Sequence, residues 1–323
     1  MCSSDLGETD MAGIGYFGDW LQAWVGRGRQ NWGAMSLDNL ALSEKSAAYD
    51  HGTLQLRFNN LRLRYFHGYL ETLENSNNRY ITGRGIEYNN KRNLVIGAHE
   101  IVIYSGKDRP MDIAYFNPIA THLEVELNQR DNRPGGTGGG NAIWQLALDW
   151  MPIKGLRFSG NILADEIVID DFEREEGKPH ALAYQGRLAW SDFFRQILFT
   201  VFTEYTQVGT YTLRHEDGGN NFVSRDLPLG TELGSDGDCW QIGARIVTPW
   251  RMITTISFGK ERSGEQTILE NPYEPYDQFV DVPFPSGDVH ETAFFRWEAI
   301  WSPRSNITIK LQSQLGEDRK SVV

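Results

Sequence analysis

The decapeptide Asn141-Ala142-Ile143-Trp144-Gln145-Leu146-Ala147-Leu148-Asp149-Trp150 decides the fold. Trp144, Leu146, Leu148 and Trp150 fall on one side of an extended chain; Ile143, Gln145, Ala147 and Asp149 fall on the other. The run stops at Met151-Pro152-Ile153-Lys154, and alternation then resumes. Leu156, Phe158, Ile162 and Ala164 oppose Arg157, Ser159, Asn161 and Asp165. Leu182, Tyr184, Leu188 and Trp190 oppose Gln185 and Arg187. Phe295, Trp297, Ala299 and Trp301 oppose Arg296 and Glu298, and Ile307, Ile309 and Leu311 oppose Thr308, Lys310 and Gln312. Period two over about ten residues means strands with one apolar and one polar face, and about thirteen of them lie along the chain.

The connections carry the second signal. Short turns are expected at Asn59-Asn60, Asn89–Arg92, Met151–Lys154, Ser191–Arg195, Thr248–Arg251 and Ser302–Asn306. Longer polar connections are expected at Glu74–Asn78, Tyr104–Gly140, Asp165–His180, Gln207–Asp238 and Arg262–His290, alternating with the short ones. A soluble sandwich has no need to sort its loops this way. A barrel in a membrane does, with short periplasmic turns and long outer loops. Trp and Pro recur at the short turns (Trp150-Met151-Pro152, Pro249-Trp250, Trp301-Ser302-Pro303), where an indole suits a membrane–water boundary. The expected fold is an all-β, antiparallel transmembrane β-barrel. Two segments break the rhythm: Arg27–Gly52, which can fold into the lumen, and Met111–Asn128, which can hold a short helix stopped or kinked at Pro118.

Composition agrees. The 323 residues carry 31 Lys and Arg against 43 Asp and Glu, a formal charge of −12. With no basic excess to collect phosphates, nucleic acid is not an expected partner. Ten Trp, 13 Tyr and 16 Phe argue against disorder. No run of about 18 apolar residues exists, so a transmembrane helix is excluded, whereas a membrane barrel keeps average hydropathy low. The hexapeptides Met1–Leu6 and Asp318–Val323 read as translated sequencing adapter, so 7–317 is expected to be a single barrel domain, a fragment of a longer chain. Cys239 then stands alone, which supports neither a disulfide framework nor a cysteine zinc site.

Polar-face positions include Arg62, Arg64, Asp149, Arg157, Arg187, Glu204, Arg245, Arg296, Glu298 and Lys310, seven basic and three acidic. They suit cross-strand ion pairing, or a lining that selects or contacts an anionic polymer. Gly26-Arg27-Gly28-Arg29-Gln30-Asn31-Trp32-Gly33 offers guanidinium forks and an aromatic plane, equipment for sugars or acidic groups. The same residues also suit a structural corner with Trp32 packed and the arginines paired. The candidate ligand-binding set is Arg27, Arg29, Trp32, Arg62, Arg64, Arg157 and Arg187. Acidic loops at 165–176 and 232–238 lack EF-hand spacing, and neither His122, Glu124 and Glu126 nor His215, Glu216 and Asp217 is spaced as a metal site. No Gly-x-Ser-x-Gly elbow occurs, and the seven histidines show no Ser or Asp partner. No catalytic residue, metal or cofactor is therefore expected.

Taken in order, these motifs resemble the Wzi-type capsule assembly family of outer-membrane barrels. The resemblance begins at Trp24–Gly33 with Leu40–Ser43, continues through Glu100–Tyr104 and Ala114-Tyr115-Phe116-Asn117-Pro118, then Asn141, and reaches Leu163-Ala164-Asp165-Glu166. Nothing corresponds to the family's export signal or final strands. The resemblance implies a closed, plugged barrel of about eighteen strands in the bacterial outer membrane. It also implies lectin-like, non-catalytic attachment or assembly of capsular polysaccharide, with polysaccharide and outer-membrane lipid as partners. A diffusion porin for small solutes is the alternative. The two differ in whether the Arg27–Gly52 and Tyr104–Gly140 segments block the lumen.

Overall fold

The computed structural model describes residues 10–129, 139–166, 179–276 and 282–322. Met1–Leu6 and residues 167–176 of the acidic stretch lie outside the described residues.

Fourteen strands form one antiparallel sheet in which each strand pairs with the next along the chain. They are β1 (Ala12–Phe17), β2 (Leu21–Gly28), β3 (Tyr49–Phe58), β4 (Leu61–Thr72), β5 (Asn77–Asn89), β6 (Leu94–Lys107) and β7 (Asn141–Ile153). Then follow β8 (Leu156–Glu166), β9 (Ala181–Phe194) and β10 (Ile197–Val208). A separate hairpin, β11 (Val223–Ser224) and β12 (Leu227–Pro228), precedes β13 (Gly237–Val247), β14 (Met252–Ser263), β15 (Asp288–Arg304) and β16 (Ile307–Val322). The ladder of β16 runs through Asp318 as far as Val322, which pairs with Asp288. From β3 onward the strands of the fourteen-stranded sheet have ten or more residues, long enough to cross a bilayer when tilted.

The alternation read at 141–150 is the division between two environments. Leu146 is 59% exposed, and its register partner Ile162 62%, while Ile143 and Gln145 are fully buried. Leu188, Trp190, Trp240, Phe258, Phe295 and Leu311 also stand exposed on the outer face. In water this arrangement would be inside out, because large side chains face away from the protein while Asn161, Gln185 and Gln145 are buried within. Hydrocarbon around the wall removes the contradiction, since lipid-facing positions of a membrane barrel are apolar and lumen-facing ones polar.

Every odd-to-even hairpin of the fourteen-stranded sheet from β3–β4 to β15–β16 closes through a short turn at one end, where expected. At Lys154-Gly155 the backbone takes φ +85° at the glycine, and a Cβ there would lie 2.4 Å from the Ser191 carbonyl oxygen. One connection differs from expectation. Glu74–Asn78 is no long loop; the chain turns within 73–76, with Leu73 N–H donating to Asn77 O (3.0 Å) and Ser76 N–H to Leu73 O (2.9 Å). The two expected inserts also part company. Residues 29–48 enter the lumen, joined there by 209–236. Residues 109–129 of the β6–β7 connection instead lie against the outer face of the wall. Its 3₁₀ turn Ile113–Phe116 ends before Pro118, and α1 (His122–Gln129) begins after it, so Pro118 separates two pieces instead of kinking one.

Candidate functional site

The lumen has two halves. Toward the long-loop end it is filled. Trp32, Leu40, Leu42, Phe222 and Leu229 pack against Phe66 of β4, Ile81 of β5, Ile101 of β6, Ile143 of β7 and Leu163 of β8, all at 0–1% exposure. The two inward segments touch directly: Ser43 N–H donates to Leu229 O (2.9 Å), and Lys45 Nζ reaches Glu232 at 2.5 Å and Asp38 at 3.7 Å. The approach is so close that a Cβ on Gly230 would sit 1.8 Å from Leu40 O. Burial pushes the Asp38 carboxyl above its ordinary value, against the pull of the Lys45 charge.

Amides on the wall hold the plug. Gln145 Nε2 donates to Trp32 O (2.8 Å) and Gln185 Nε2 to Asp38 O (3.0 Å). Asn161 Nδ2 donates to Asn39 Oδ1 (2.9 Å), which also accepts from Met35 N–H (2.8 Å). Gly33 turns beside this group with φ +148°, where a Cβ would meet Asn39 Oδ1 at 2.2 Å. Each amide satisfies a plug group that no strand ladder can reach, so the plug packs against the wall without orphaning those groups. Arg79 does the same for the second segment. Fully buried, it donates to Gly219 O (2.5 Å), Asn221 O (2.6 Å) and Val223 O (2.9 Å), and pairs with Glu71 at 2.6 Å. Sequence reasoning missed Arg79; its signal is an arginine two positions from Ile81 on the same lumenal face.

Below the plug, toward the short turns, lies a cavity of about 740 Å³. It is lined from β4 to β15, so the sheet curls around it. Its lining carries Lys45, Arg62, Arg157, Arg187, Arg245 and Arg296 against Asp38, Glu87, Asp149, Glu204, Glu232 and Glu261. The basic surplus suggested by the sequence is thus absent, six charges facing six. The missing acids come from β5, β14 and the plug. Glu87 binds Arg62, Arg64 at 3.1 Å and lies 3.6 Å from His99. Asp149 holds Arg157 through two bonds of 2.7 and 2.5 Å. Glu204 lies 3.5 Å from Arg187, whose guanidinium also covers the Phe202 ring at 4.1 Å. Arg245 has no ion pair or hydrogen bond among the described residues.

The seven candidate residues therefore do not form one site. Arg62, Arg157 and Arg187 come together in the cavity. Trp32 is 1% exposed, its ring against Phe66 (5.1 Å), with the guanidinium of the wall residue Arg64 (β4) 4.4 Å above it; Trp32 is a packed plug residue, and its indole face is not offered to a ligand. Arg27 pairs with Asp50 at 3.5 Å near the long-loop end of the wall. Arg29 binds Ser46 O (2.5 Å) and Asp10 (2.5 Å) at that same end, and holds the Asp10 carboxyl below its ordinary value. No group of three or more His, Cys, Asp or Glu suited to a metal occurs among the described residues.

A lipid-facing wall, a polar lumen and loops sorted by length define the class: this is the fold of an outer-membrane β-barrel. Comparison with known proteins places it among such barrels by shape. The chain is similar to Wzi of Escherichia coli, an outer-membrane protein involved in group 1 capsule assembly and a carbohydrate-binding β-barrel, at 12% identity and a TM-score of 0.67 over 97% of this chain and 67% of that one. It is less similar to OccD3 (OpdP) of Pseudomonas aeruginosa (12% identity, TM-score 0.48, 96% and 72% covered). A BenF-like porin from Pseudomonas fluorescens Pf-5 gives 9%, 0.45, 93% and 70%. No family model and no curated protein matches the chain.

Proposed function

We propose that the protein is a Wzi-like barrel of the Gram-negative outer membrane that holds capsular polysaccharide at the cell surface by non-covalent contact, without catalysis. The observation that supports this reading is the packed plug. A porin needs a continuous wet path, and here two chain segments fill the long-loop half of the lumen with buried, packed side chains. What remains toward the cell exterior is a rim made by the outer edge of the plug, its backbone held from below by Arg79 and the wall amides. A pre-ordered rim loses little entropy on binding a sugar chain. Of the sequence candidates, Arg29 belongs to this rim. Arg62, Arg157 and Arg187 are cut off from it by the plug.

The polar cavity favours a second reading, a porin, because a sign-balanced charged vestibule is also what a small-solute channel would carry. Single-channel recording of the full-length protein in planar bilayers separates the two. The plugged reading expects no steady conductance, together with retention of purified capsular polysaccharide by the immobilised protein. A large, steady open current without polysaccharide retention overturns it in favour of the porin.

A further inference from the structure

The connection between β6 and β7 does something that neither plugging nor sugar binding explains. Along β6, Val95, Gly97 and His99 line the cavity, and Ile101 and Ile103 pack on the plug. Glu100, Val102 and Tyr104 must therefore point outward, toward lipid. The same parity sends Tyr80 and Arg84 of β5 and Tyr65, His67 and Tyr69 of β4 outward. Yet Glu100, Val102, Tyr104, Tyr80, Arg84 and His67 are all buried.

Residues 109–129 cover them. The Tyr115 ring stacks on Tyr104 at 4.4 Å and 13°, with Ala120 and Val125 in the same cluster. Tyr65 Oη donates to Tyr115 O (2.9 Å) and Asp112 N–H to Tyr104 Oη (3.2 Å). Glu100 faces Arg84 Nε at 3.1 Å, accepts from Trp144 Nε1 (3.2 Å), and takes the first helical N–H of α1, that of His122, at 3.1 Å. A wall carboxylate thus anchors the helix at its positive end. The covering segment turns its other side outward: Ile113 is 82% exposed, Ile119 85%, Leu123 58% and Phe116 48%. These side chains continue the exposed apolar face of the neighbouring strand, where Trp144 and Leu146 stand 50% and 59% exposed. Trp144 is also the register partner of Glu100, so segment and indole share one height on the wall. Trp144, Tyr184 and Trp240, exposed near the long-loop ends of their strands, mark that height as the aromatic belt of one membrane interface.

We propose that residues 109–129 form a lipid clamp: an amphipathic strap lying in the membrane interface, with Ile113, Phe116, Ile119 and Leu123 among acyl chains and the Arg84–Glu100 pair sealed beneath. The physical logic is substitution of surfaces. An arginine–glutamate pair and several tyrosines facing hydrocarbon directly would be costly. The strap takes those groups as its own core and returns an apolar surface to the lipid. Interfacial segments of this design bind through buried apolar area at the headgroup boundary. The inference rests on insertion of the wall into a membrane, and not on the ligand of the rim.

The test uses nitroxide labels on the full-length protein in a cysteine-free background, reconstituted in phosphatidylcholine vesicles. Ile113→Cys and Ile119→Cys are the probes. Leu146→Cys, on the lipid face of β7, and Glu74→Cys, at the tip of the β4–β5 turn, are the references. The clamp expects collisions with oxygen to exceed those with a water-soluble nickel chelate at both probes, the ordering of Leu146 and the reverse of Glu74. A chelate-dominated response at the probes, with Leu146 still oxygen-dominated, puts the strap in water and overturns the clamp alone. Suppression of both collisions together with label–label broadening puts a second copy of the chain on the strap and likewise overturns it. A chelate-dominated Leu146 removes membrane insertion and the clamp with it.

Discussion

Replacing Trp32 with alanine isolates the plug from the wall. Its indole is the largest fully buried side chain of the lumen. It lies against Phe66 at 5.1 Å and His99 at 5.4 Å, carries the Arg64 guanidinium at 4.4 Å, and donates from Nε1 to Gln30 Oε1 at 2.9 Å. Removing a buried Trp costs about 3–5 kcal/mol. Each 1.4 kcal/mol is a factor of ten, so the open population of the plug should rise by about 10² to 4 × 10³. The wall ladders do not run through Trp32, whose only ladder-like bond is an isolated bridge to Leu42. The loss is therefore confined to a sub-global unit. Hydrogen exchange by mass spectrometry on the detergent-solubilised protein reads this directly. Peptides from 29–48 should exchange about 10² to 4 × 10³ times faster, while peptides from β7 and β8 keep their protection. Trp32→Phe keeps a ring over Phe66 and under Arg64 and loses the bond to Gln30, so it should cost about 1 kcal/mol and speed exchange by about fivefold. Equal acceleration in plug and wall peptides, or none in 29–48, would refute the view that this segment is a packed unit held by its indole.

Two further outcomes follow from the charged groups. Glu87→Gln leaves Arg62 and Arg64 without their shared carboxylate; because Arg62 is 39% exposed and keeps part of its hydration, the cost should be about 2–3 kcal/mol, below that of a fully buried pair, read as a lower denaturation midpoint in detergent. Arg62→Met in the Glu87→Gln background should then add little, and full additivity in that double-mutant cycle would remove the coupling. Asp38 carries the pH dependence of the plug. Burial raises its carboxyl above the ordinary 3.8, so between that value and its folded value the folded state binds more protons than the unfolded chain. Plug stability is then greatest below 3.8 and falls as pH rises through the folded value. Exchange from 29–48, corrected for intrinsic chemistry, should speed up over that window, and Asp38→Asn should flatten the trend; an unchanged slope in the variant would assign it elsewhere.

The parts of this molecule that sequence could reveal are those governed by period. At 141–150 the alternation needs nothing but the pleat of a strand to become an inside and an outside, and the short turns follow because chain must reverse wherever alternation stops. The plug was half legible. Residues 29–48 stand out by breaking the rhythm, whereas 209–236 reads as one more outer loop, because its inward course depends on contacts such as Ser43 with Leu229 that have no signature along the chain. Gly26–Gly33 shows the limit for sites. A guanidinium over an indole is equally the equipment of a sugar subsite and of a packed corner, and only the arrival of Phe66 and His99 around Trp32 makes it the latter.

The strap had a signal of a different kind, carried by violations of the pattern. On the lipid-facing parity of β5 and β6, Ile86 and Ile96 are apolar and about half exposed as a membrane wall requires, but Arg84 and Glu100 are not apolar. Facing each other in register, they cannot be a lumenal pair, since Gly85 and His99 occupy the lumenal positions beside them. A charge pair at a hydrocarbon-facing position is tolerable only under cover, and the cover has to come from chain attached nearby, which leaves the β6–β7 connection with its Tyr115, Ala120 and Val125. In barrels of this kind, polar residues that break the outward apolar rhythm on adjacent strands are therefore evidence about the loops: they mark where a connection has left the rim to lie down on the wall.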